Sequence, residues 1–550
     1  MPKVAPERLV ANGADEVVRF LGDRGCAHIF GLPGSSLVSL IHALEQSDID
    51  IVPTVHEAVT VAAADGYSRV KGAGFAYLYM LPGTANGLAN LYNAWRDESP
   101  VLVLASQQAS TWRTREGTIG EADILRAAEP FTRFSQEIGL GTPVRRLLDS
   151  AWRAATGYPG GPAFVSLPGD VLENAAPVRP ARASVRVPAG APDVGVVAAR
   201  LAAAERPLII AGGQLRRYGG VETLARLAEV HGIALATEPG FLDRLPIPPG
   251  HPRSIGSLTG ISGSVADARA DVVVMVGGRL VAEGHPRVDE WFAGAGFVAH
   301  VNADLAKLEE TRTADWACAC DPAAFVAALA AALAPPTPDQ LAARIDFIAG
   351  CRATPLPDLP FLKTLAAYGQ ALAGVHDALE RGWVVDEAVM GSIALIQSLK
   401  TGDGSRYVGA TGGSLGWGTG AAVGVALASG EPVTCVLGDG ALRFGAQGLW
   451  TAVARRLPIT YVVLDNGGYG STRYFAREFA AREGNGNMAP AYAGMDLRAG
   501  GSDVTDILRG FGVSVGDRVD PAGARGAIEA AWAAAADGPN SVVIDLPFGD

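Results

Sequence analysis

The chain has 550 residues, of which 49% are hydrophobic and 19% charged, with a formal net charge of −12 at pH 7. That length is too great for one hydrophobic core and implies several globular domains. The negative balance argues against nucleic acid or an anionic membrane as a partner, and no apolar run of about 18 residues offers a membrane span.

The amino terminus leads straight into an amphipathic helix expected at Ala11–Arg24, with Val17, Val18 and Leu21 on one face and no signal-peptide core before it. Five cysteines (Cys26, Cys318, Cys320, Cys351, Cys435) are scattered and odd in number. Cys318 and Cys320 have no second pair to complete a zinc site, so reduced thiols in a cytoplasm are expected. His28–Phe30 reads as a strand entering a turn at Gly31–Ser36, Ile49–Val55 as a second strand, and Ala58–Val70 as an alanine-rich helix. Ala76–Leu81 is a third strand, with Pro82–Gly87 after it and a helix at Ala89–Trp95; Val101–Ala105 and Ala163–Leu167 are further strands. This alternation predicts a doubly wound parallel sheet. Glu57 falls at a strand end, where a helix starts, beside Val55, Ala58 and Val59; that setting lets a carboxyl share a proton with a nitrogen base, although a carboxylate favoured by the helix dipole would sit there too.

Leu172–Asp193, rich in Pro, Ala and Arg, reads as a linker. In the middle region Pro207–Ala211, Ile233–Ala236, Val272–Val276 and Phe297–Asn302 are expected strands. Gly212-Gly213 and Gly277-Gly278 end two of them, without the G-x-G-x-x-G fingerprint and its ribose-binding acid. Ala334–Pro338 opens a second proline-rich linker that continues through Pro355, Pro357 and Pro360. The last region brings a helix at Leu365–Leu379, strands at Trp383–Asp386 and Tyr407–Val408, a glycine-rich loop at Gly412–Gly418 and a small-residue helix at Ala421–Ala428; Val542–Leu546 closes it. The first and last regions look like two versions of one α/β layout.

The most informative stretch is Pro432–Gly470, a complete βαβ unit. Val433–Leu437 is a buried strand ending in Gly438-Asp439-Gly440, Ala446–Leu457 a helix stopped by Pro458, and Ile459–Leu464 a strand ending in Asp465-Asn466-Gly467-Gly468. A right-handed crossover places both strand ends on one side of the sheet, where open α/β sheets bind ligands. A carboxylate, an amide oxygen and a glycine carbonyl suit Mg²⁺, and glycine amides with a helix start after Gly445 suit a phosphate. The residues therefore predict a Mg²⁺–diphosphate site.

Gly438-Asp439-Gly440 with Asn466 27 positions after the Asp resembles the motif of the thiamine diphosphate-dependent decarboxylase and acetolactate synthase superfamily. HIFGLPGSS, VHEAVTVAAADGYSRV, PGTANGLANLYNAW and SPVLVLASQQ resemble that superfamily's pyrimidine-binding domain in order and spacing, nearest to the benzoylformate decarboxylase type. The resemblance implies three doubly wound parallel-sheet domains of α/β class: pyrimidine-binding (residues 1–178), central (190–335) and diphosphate-binding (362–550). It implies thiamine diphosphate and Mg²⁺ as cofactors, with Asp439, Asn466 and the Gly468 carbonyl on the metal, and Gly438, Gly440, Ala441 and Tyr469 lining the cofactor. Leu415 would prop the thiazolium against the pyrimidine, and Glu57 would hold the pyrimidine N1′, favouring the tautomer that takes the C2 proton of a ring able to act as an electron sink. Ser35 matches a substrate-carboxylate binder. Tyr79 stands where the benzoylformate decarboxylases have a catalytic His, and a second active-site His would fall near Gly284 or His285. Glu387 matches a position near the diphosphate, and Phe475 one lining the substrate pocket. FAD is carried by some family members in the central domain; nothing in the residues supports it here. The implied activity is decarboxylation of a 2-oxo acid, with or without ligation to an aldehyde acceptor; an acetolactate-synthase-like or 2-hydroxyacyl-lyase carboligase and a non-catalytic relative are the rival readings. Relatives supply Glu57 and Asp439 from different subunits, which implies a homodimer or homotetramer.

Overall fold

The computed structural model describes residues 11–112, 119, 123–176, 192–238, 242–257, 269–278, 292, 294–309, 313–353, 360–482 and 494–546. Three six-stranded sheets, each wholly parallel, follow one another along the chain. The first holds β1 (His28–Gly31), β2 (Asp50–Pro53), β3 (Gly74–Leu78), β4 (Val101–Gln107), β5 (Phe134–Glu137) and β6 (Ala163–Pro168) in the order β2-β1-β3-β4-β6-β5. The second holds β7 (Pro207–Ala211), β8 (Ala234–Thr237), β9 (Ser254–Ser257), β10 (Val272–Val276), β11 (Phe297–Asn302) and β12 (Trp316–Ala319), ordered β9-β8-β7-β10-β11-β12. The third holds β13 (Trp383–Glu387), β14 (Tyr407–Gly409), β15 (Val433–Gly438), β16 (Ile459–Asp465), β17 (Ser514–Val519) and β18 (Asn540–Asp545), ordered β14-β13-β15-β16-β18-β17. The first and third orders are the same, so the two outer regions are two copies of one topology. Strands such as β4 and β16 are buried along their whole length, as expected of parallel strands covered by helices on both faces.

The helices that bear on the site are α1 (Glu57–Lys71), α2 (Met80–Arg96), α3 (Pro338–Ala353), α4 (Gly391–Ser398), α5 (Gly418–Ser429), α6 (Asp439–Gly445), α7 (Gln447–Ala454) and α8 (Gly470–Arg482). α1 and α5 follow equivalent strands in the two outer sheets and pack on each other, joining the sheets through one core that includes Val61, Ala62, Tyr67, Trp417, Ala421 and Val425. Small residues allow the backbones to meet: a Cβ on Gly424 would lie 1.9 Å from the Ala63 carbonyl oxygen, and one on Gly66 2.3 Å from that of Ala421.

A buried ionic cluster ties all three sheets together. Arg69, on α1, donates to Asp65 at 2.8 Å and to Asp97 at 2.8 Å, and faces Asp243 of the central region at 3.7 Å. Asp65 also accepts from the Trp417 indole at 2.8 Å, and Asp97 accepts from the amide of Thr411 at 3.2 Å. Full burial of Arg69 is tolerable because each charge is paired and hydrogen-bonded.

Three expectations change. The strand expected to reach Leu81 ends at Leu78, and α2 begins at Met80 rather than Ala89, taking in Pro82–Gly87; Pro82 lies in the first turn, where its missing N–H has no intrahelical partner to lose. The helix expected at Ala446–Leu457 is α7, Gln447–Ala454, and a separate helix, α6, begins before it at Asp439 itself, ahead of the helix start expected after Gly445. The second linker contains α3, whose Arg344 is 1% exposed and donates to the carbonyls of Leu201, Ala204 and His231. Residues 177–191 of the first linker and 279–291, with Gly284 and His285, lie outside the described residues. No helix among the described residues is long and apolar enough to cross a membrane.

Candidate functional site

In each outer sheet the strand order reverses between the first and third strands, and the turns beyond that point form the crevice of a doubly wound fold. In the third sheet those turns follow β13 and β15 and carry Glu387 and Asp439. Gly438, extended, caps α6, and Asp439 is its first residue. Asp439 is 3% exposed, and its Oδ2 has no hydrogen-bond partner among the described residues. Burial, reinforced by the charge of Asp465, pushes its carboxyl up to about 6. A buried carboxylate oxygen without a donor is costly, and a cation would remove that cost.

Asn466 follows the end of β16, the neighbouring strand. Its Nδ2 donates to the Tyr368 hydroxyl at 2.8 Å, which fixes the amide so that Oδ1, accepting from the Gly468 amide at 3.1 Å, is the free acceptor edge. Gly467 takes φ +74°, and a Cβ on Gly468 would lie 2.1 Å from the Met495 carbonyl oxygen, so this turn requires glycine at both positions. The Gly468 carbonyl accepts from the Gly470 amide at 2.9 Å, leaving one lone pair. No cluster of three His, Cys, Asp or Glu side chains capable of holding a metal exists among the described residues. The donors at this turn are all oxygen: one carboxylate, one amide and one carbonyl, a set that fits Mg²⁺ with phosphate completing the shell. Gly440 and the half-buried Tyr469 adjoin each other here, the ring 4.0 Å from where a Gly440 Cβ would be. Ala441 is buried in the next position of α6.

Leu415, half-buried, sits in the glycine-rich loop before α5 and packs on the shared core. Glu387 holds that loop in shape: its carboxylate accepts from the amides of Gly416 (2.6 Å), Trp417 (3.0 Å) and Gly418 (2.8 Å). Desolvation pushes Glu387 up to about 7 against those three donors. From the other side Asn93 donates to the Ser414 carbonyl at 2.9 Å.

In the first sheet, Glu57 opens α1, after His56, whose Nδ1 caps the helix by accepting from the Ala58 amide. Glu57 is half-buried; Oε2 accepts from Asn86 Nδ2 at 3.1 Å, and a Cβ on Gly83 would lie 2.8 Å from Oε1. Val55 is 42% exposed and does not enclose the carboxylate within this chain. Ser35, exposed, and Tyr79 flank the crevice of the first sheet. The Tyr79 ring lies over Gly34, where a Cβ would come within 2.3 Å of it. Behind them Ser106 Oγ accepts from the Met80 amide at 3.1 Å and from Ser36 at 2.8 Å, holding Met80 at φ +42°. Thus Asp439, Asn466 and Gly468 lie at neighbouring strand ends of the third sheet, Leu415 sits in the loop that Glu387 holds, and Ser35 and Tyr79 lie at the crevice of the first sheet. Among the described residues no hydrogen bond joins Glu57 to the first group. Phe475, on α8, is 53% exposed.

Sequence reasoning passed over Asn86, Asn90 and Asn93. They lie on one face of α2, and bind Glu57, the Ala58 carbonyl and the Gly412–Gly418 loop respectively. Three asparagines at i, i+4 and i+7 in an apolar helix are a readable signal. In the central sheet, the amides of Gly212, Gln214 and Gly277 bond to backbone carbonyls and that of Gly213 to Glu238 at 3.0 Å. Among the described residues those turns offer no free row of N–H groups to a dinucleotide pyrophosphate.

Residues 11–127 match the thiamine pyrophosphate enzyme N-terminal TPP binding domain, 194–329 the central domain, and 390–546 the C-terminal TPP binding domain. The chain is 28% identical over 542 residues to the benzoylformate decarboxylase of Pseudomonas aeruginosa, covering 95% of this chain and 96% of that protein. It is 27% identical over 478 residues to the acetolactate synthase isozyme 3 large subunit of Escherichia coli, covering 83% and 82%. Two solved structures share the fold: the benzoylformate decarboxylase of Polynucleobacter necessarius (22% identity, TM-score 0.80, 98% of each chain) and the thiamine diphosphate-dependent 4-hydroxybenzoylformate decarboxylase of Rhodococcus jostii RHA1 (23%, TM-score 0.79, 98% and 99%).

Proposed function

Because the chain belongs to the thiamine pyrophosphate enzyme family, whose members here are enzymes that break or form carbon–carbon bonds, we propose that it is a Mg²⁺-dependent 2-oxo acid decarboxylase of the benzoylformate decarboxylase type. The observation that carries the metal assignment is the buried Oδ2 of Asp439, without a partner among the described residues, beside Asn466 and Gly468. In this reading Asp439, Asn466 and the Gly468 carbonyl hold Mg²⁺, and the glycines on either side of Asp439, with Ala441 and Tyr469, admit the diphosphate. Leu415 supports the bend of the cofactor from a loop that Glu387 keeps rigid. Thiamine diphosphate, when bound, supplies an acidic ring carbon and an electron sink for the bond that breaks. Glu57 holds the proton at the pyrimidine nitrogen, oriented by Asn86. Ser35 donates to the substrate carboxylate, and Tyr79 moves a proton at the substrate carbonyl. Because the partners of Glu57 and Asp439 lie in separate crevices, a homodimer or homotetramer that brings one copy's Glu57 to the other's Asp439 completes the site.

One observation favours a second reading. In this reading Tyr79 stands where the shuttling His of the benzoylformate decarboxylases would be, and His56, next to Glu57, is committed to capping α1. A phenol is a poorer proton donor than an imidazolium, which gives an aldehyde or a second 2-oxo acid time to be captured, as in an acetolactate-synthase-like or lyase-type carboligase. The test is to supply benzoylformate or pyruvate with thiamine diphosphate and Mg²⁺, with and without benzaldehyde, and to identify products by chromatography. Aldehyde and CO₂ support the decarboxylase. A hydroxyketone or acetolactate supports the carboligase. Release of CO₂ from neither acid overturns the substrate assignment.

A further inference from the structure

A cavity of about 260 Å³ lies where the central and third sheets meet. Leu242, Leu245 and Ile247 wall it from the central region, and Ile393, Ile396 and Leu399 from α4 and the residue after it. At its inner end is Thr237, the last residue of β8, which is 8% exposed and whose hydroxyl has no partner among the described residues. At the solvent side are two exposed cations, Lys400 and Arg352. Arg352, on α3, donates Nε to the Ser254 carbonyl and Nη2 to the His251 carbonyl, each at 2.9 Å, so its guanidinium is fixed over the opening. His251 is turned toward Glu229, 3.3 Å away, and no carboxylate lines the cavity itself. The space is below the roughly 300 Å³ at which pockets for drug-sized ligands begin, and none of its lining residues belongs to the cofactor set above.

We propose that this cavity binds a small apolar monocarboxylate, its hydrocarbon body between the six aliphatic side chains and its carboxylate at Lys400 and Arg352. The chemistry selects that class. Apolar walls reward a hydrocarbon, two cations with no counter-charge among the described residues reward one anion, and the buried Thr237 hydroxyl leaves room for one polar atom at the far end. A nucleotide is too large and too polar for the walls. Occupation bears on the metal turn: α4 begins four positions after Glu387, and a Cβ on Gly391 would lie 2.8 Å from Leu464 and 3.0 Å from the ring of Tyr368, the residue that orients Asn466. A ligand against Ile393 and Ile396 therefore stiffens the support of that turn.

Calorimetric titration of the full chain, loaded with Mg²⁺ and thiamine diphosphate, with octanoate and separately with octylammonium tests this. One octanoate per chain is expected, with no heat from octylammonium. Ile396→Trp, which fills the cavity, abolishes octanoate binding while cofactor uptake is retained. Lys400→Gln, at an exposed position where misfolding is not a concern, weakens it about fivefold, the scale of one exposed charge contact. Equal binding of both amphiphiles, or octanoate binding undiminished in both variants, overturns the proposal. Because the readout is binding and not turnover, failure here leaves the assigned reaction untouched, and failure of that reaction leaves this cavity untouched.

Discussion

Asp439→Asn separates the cost of the buried carboxylate from its use. Burial, with Asp465 nearby, pushes the carboxyl from its ordinary 3.8 to about 6. A raised carboxyl pKa stabilises the protonated folded form: the contribution is fully present below about pH 4 and is lost as pH rises through about 6. At about 1.4 kcal/mol for each pH unit of difference, the ionised form costs the cofactor-free protein about 3 kcal/mol at pH 7.5. Relaxation and residual solvent access reduce that to about 1–3 kcal/mol. The neutral isostere avoids the cost, so the cofactor-free variant is expected to melt a few degrees above wild type at pH 7.5, given about 2–4 °C per kcal/mol for a unit of 150–250 residues, and to match it at pH 4. Addition of Mg²⁺ and thiamine diphosphate reverses the order, because only the carboxylate gains a cation. Differential scanning calorimetry across pH 4–8, with EDTA or with both cofactors, reads all of this. A cofactor-free variant no more stable than wild type at pH 7.5, or cofactors that stabilise both proteins equally, would refute the reasoning.

Glu57→Gln is expected to slow deuterium exchange at the cofactor C2 by at least about 100-fold, the scale of a positioned acid–base group, while calorimetric cofactor uptake stays within a few-fold; an unchanged exchange rate removes Glu57 from its role. Gly424→Ala drives a Cβ to within 1.9 Å of the Ala63 carbonyl oxygen and should cost about 1–3 kcal/mol or more by forcing α1 and α5 apart; urea unfolding measures it, and Gly430→Ala, at the αL end of α5, serves as a control for backbone conformation alone. Arg69→Met leaves Asp65 and Asp97 buried without their counter-ion and should destabilise by about 3–5 kcal/mol, with part of the loss recovered in Arg69→Met/Asp97→Asn; a double variant no better than the single one would show that Asp97 is not what suffers. Glu387→Gln places an amide N–H against the Gly418 amide, so cofactor affinity should fall about tenfold for a loss of about 1.4 kcal/mol, one donor–acceptor mismatch; equilibrium dialysis checks it.

The two glycine-rich strand ends were legible in the chain itself because their pattern is local. Gly438–Gly440 and Asp465–Gly468 each sit at the end of an apolar strand, and the handedness of a parallel crossover brings such ends together whatever surrounds them. The repetition of one layout at the two ends of the chain was equally legible, and the identical strand orders of the first and third sheets bear it out. Helix boundaries were less so. Pro82 and Gly83 set the expected helix start as late as Ala89, yet the first turn of a helix needs no N–H from proline, and the helix begins at Met80. The burial of Asp65, Arg69 and Asp97 could not be read at all, since a charged i, i+4 pair on a helix is ordinarily solvated.

Composition and local pattern thus determined by themselves the class of fold, the two α/β copies and the oxygen donors at the strand ends, because each depends on residues only a few positions apart. Tertiary structure alone decided which charges are buried, which oxygen of Asp439 is left without a donor, and that Glu387 shapes the loop carrying Leu415. Those outcomes depend on desolvation and on hydrogen bonds between segments tens to hundreds of residues apart, which no window of sequence contains.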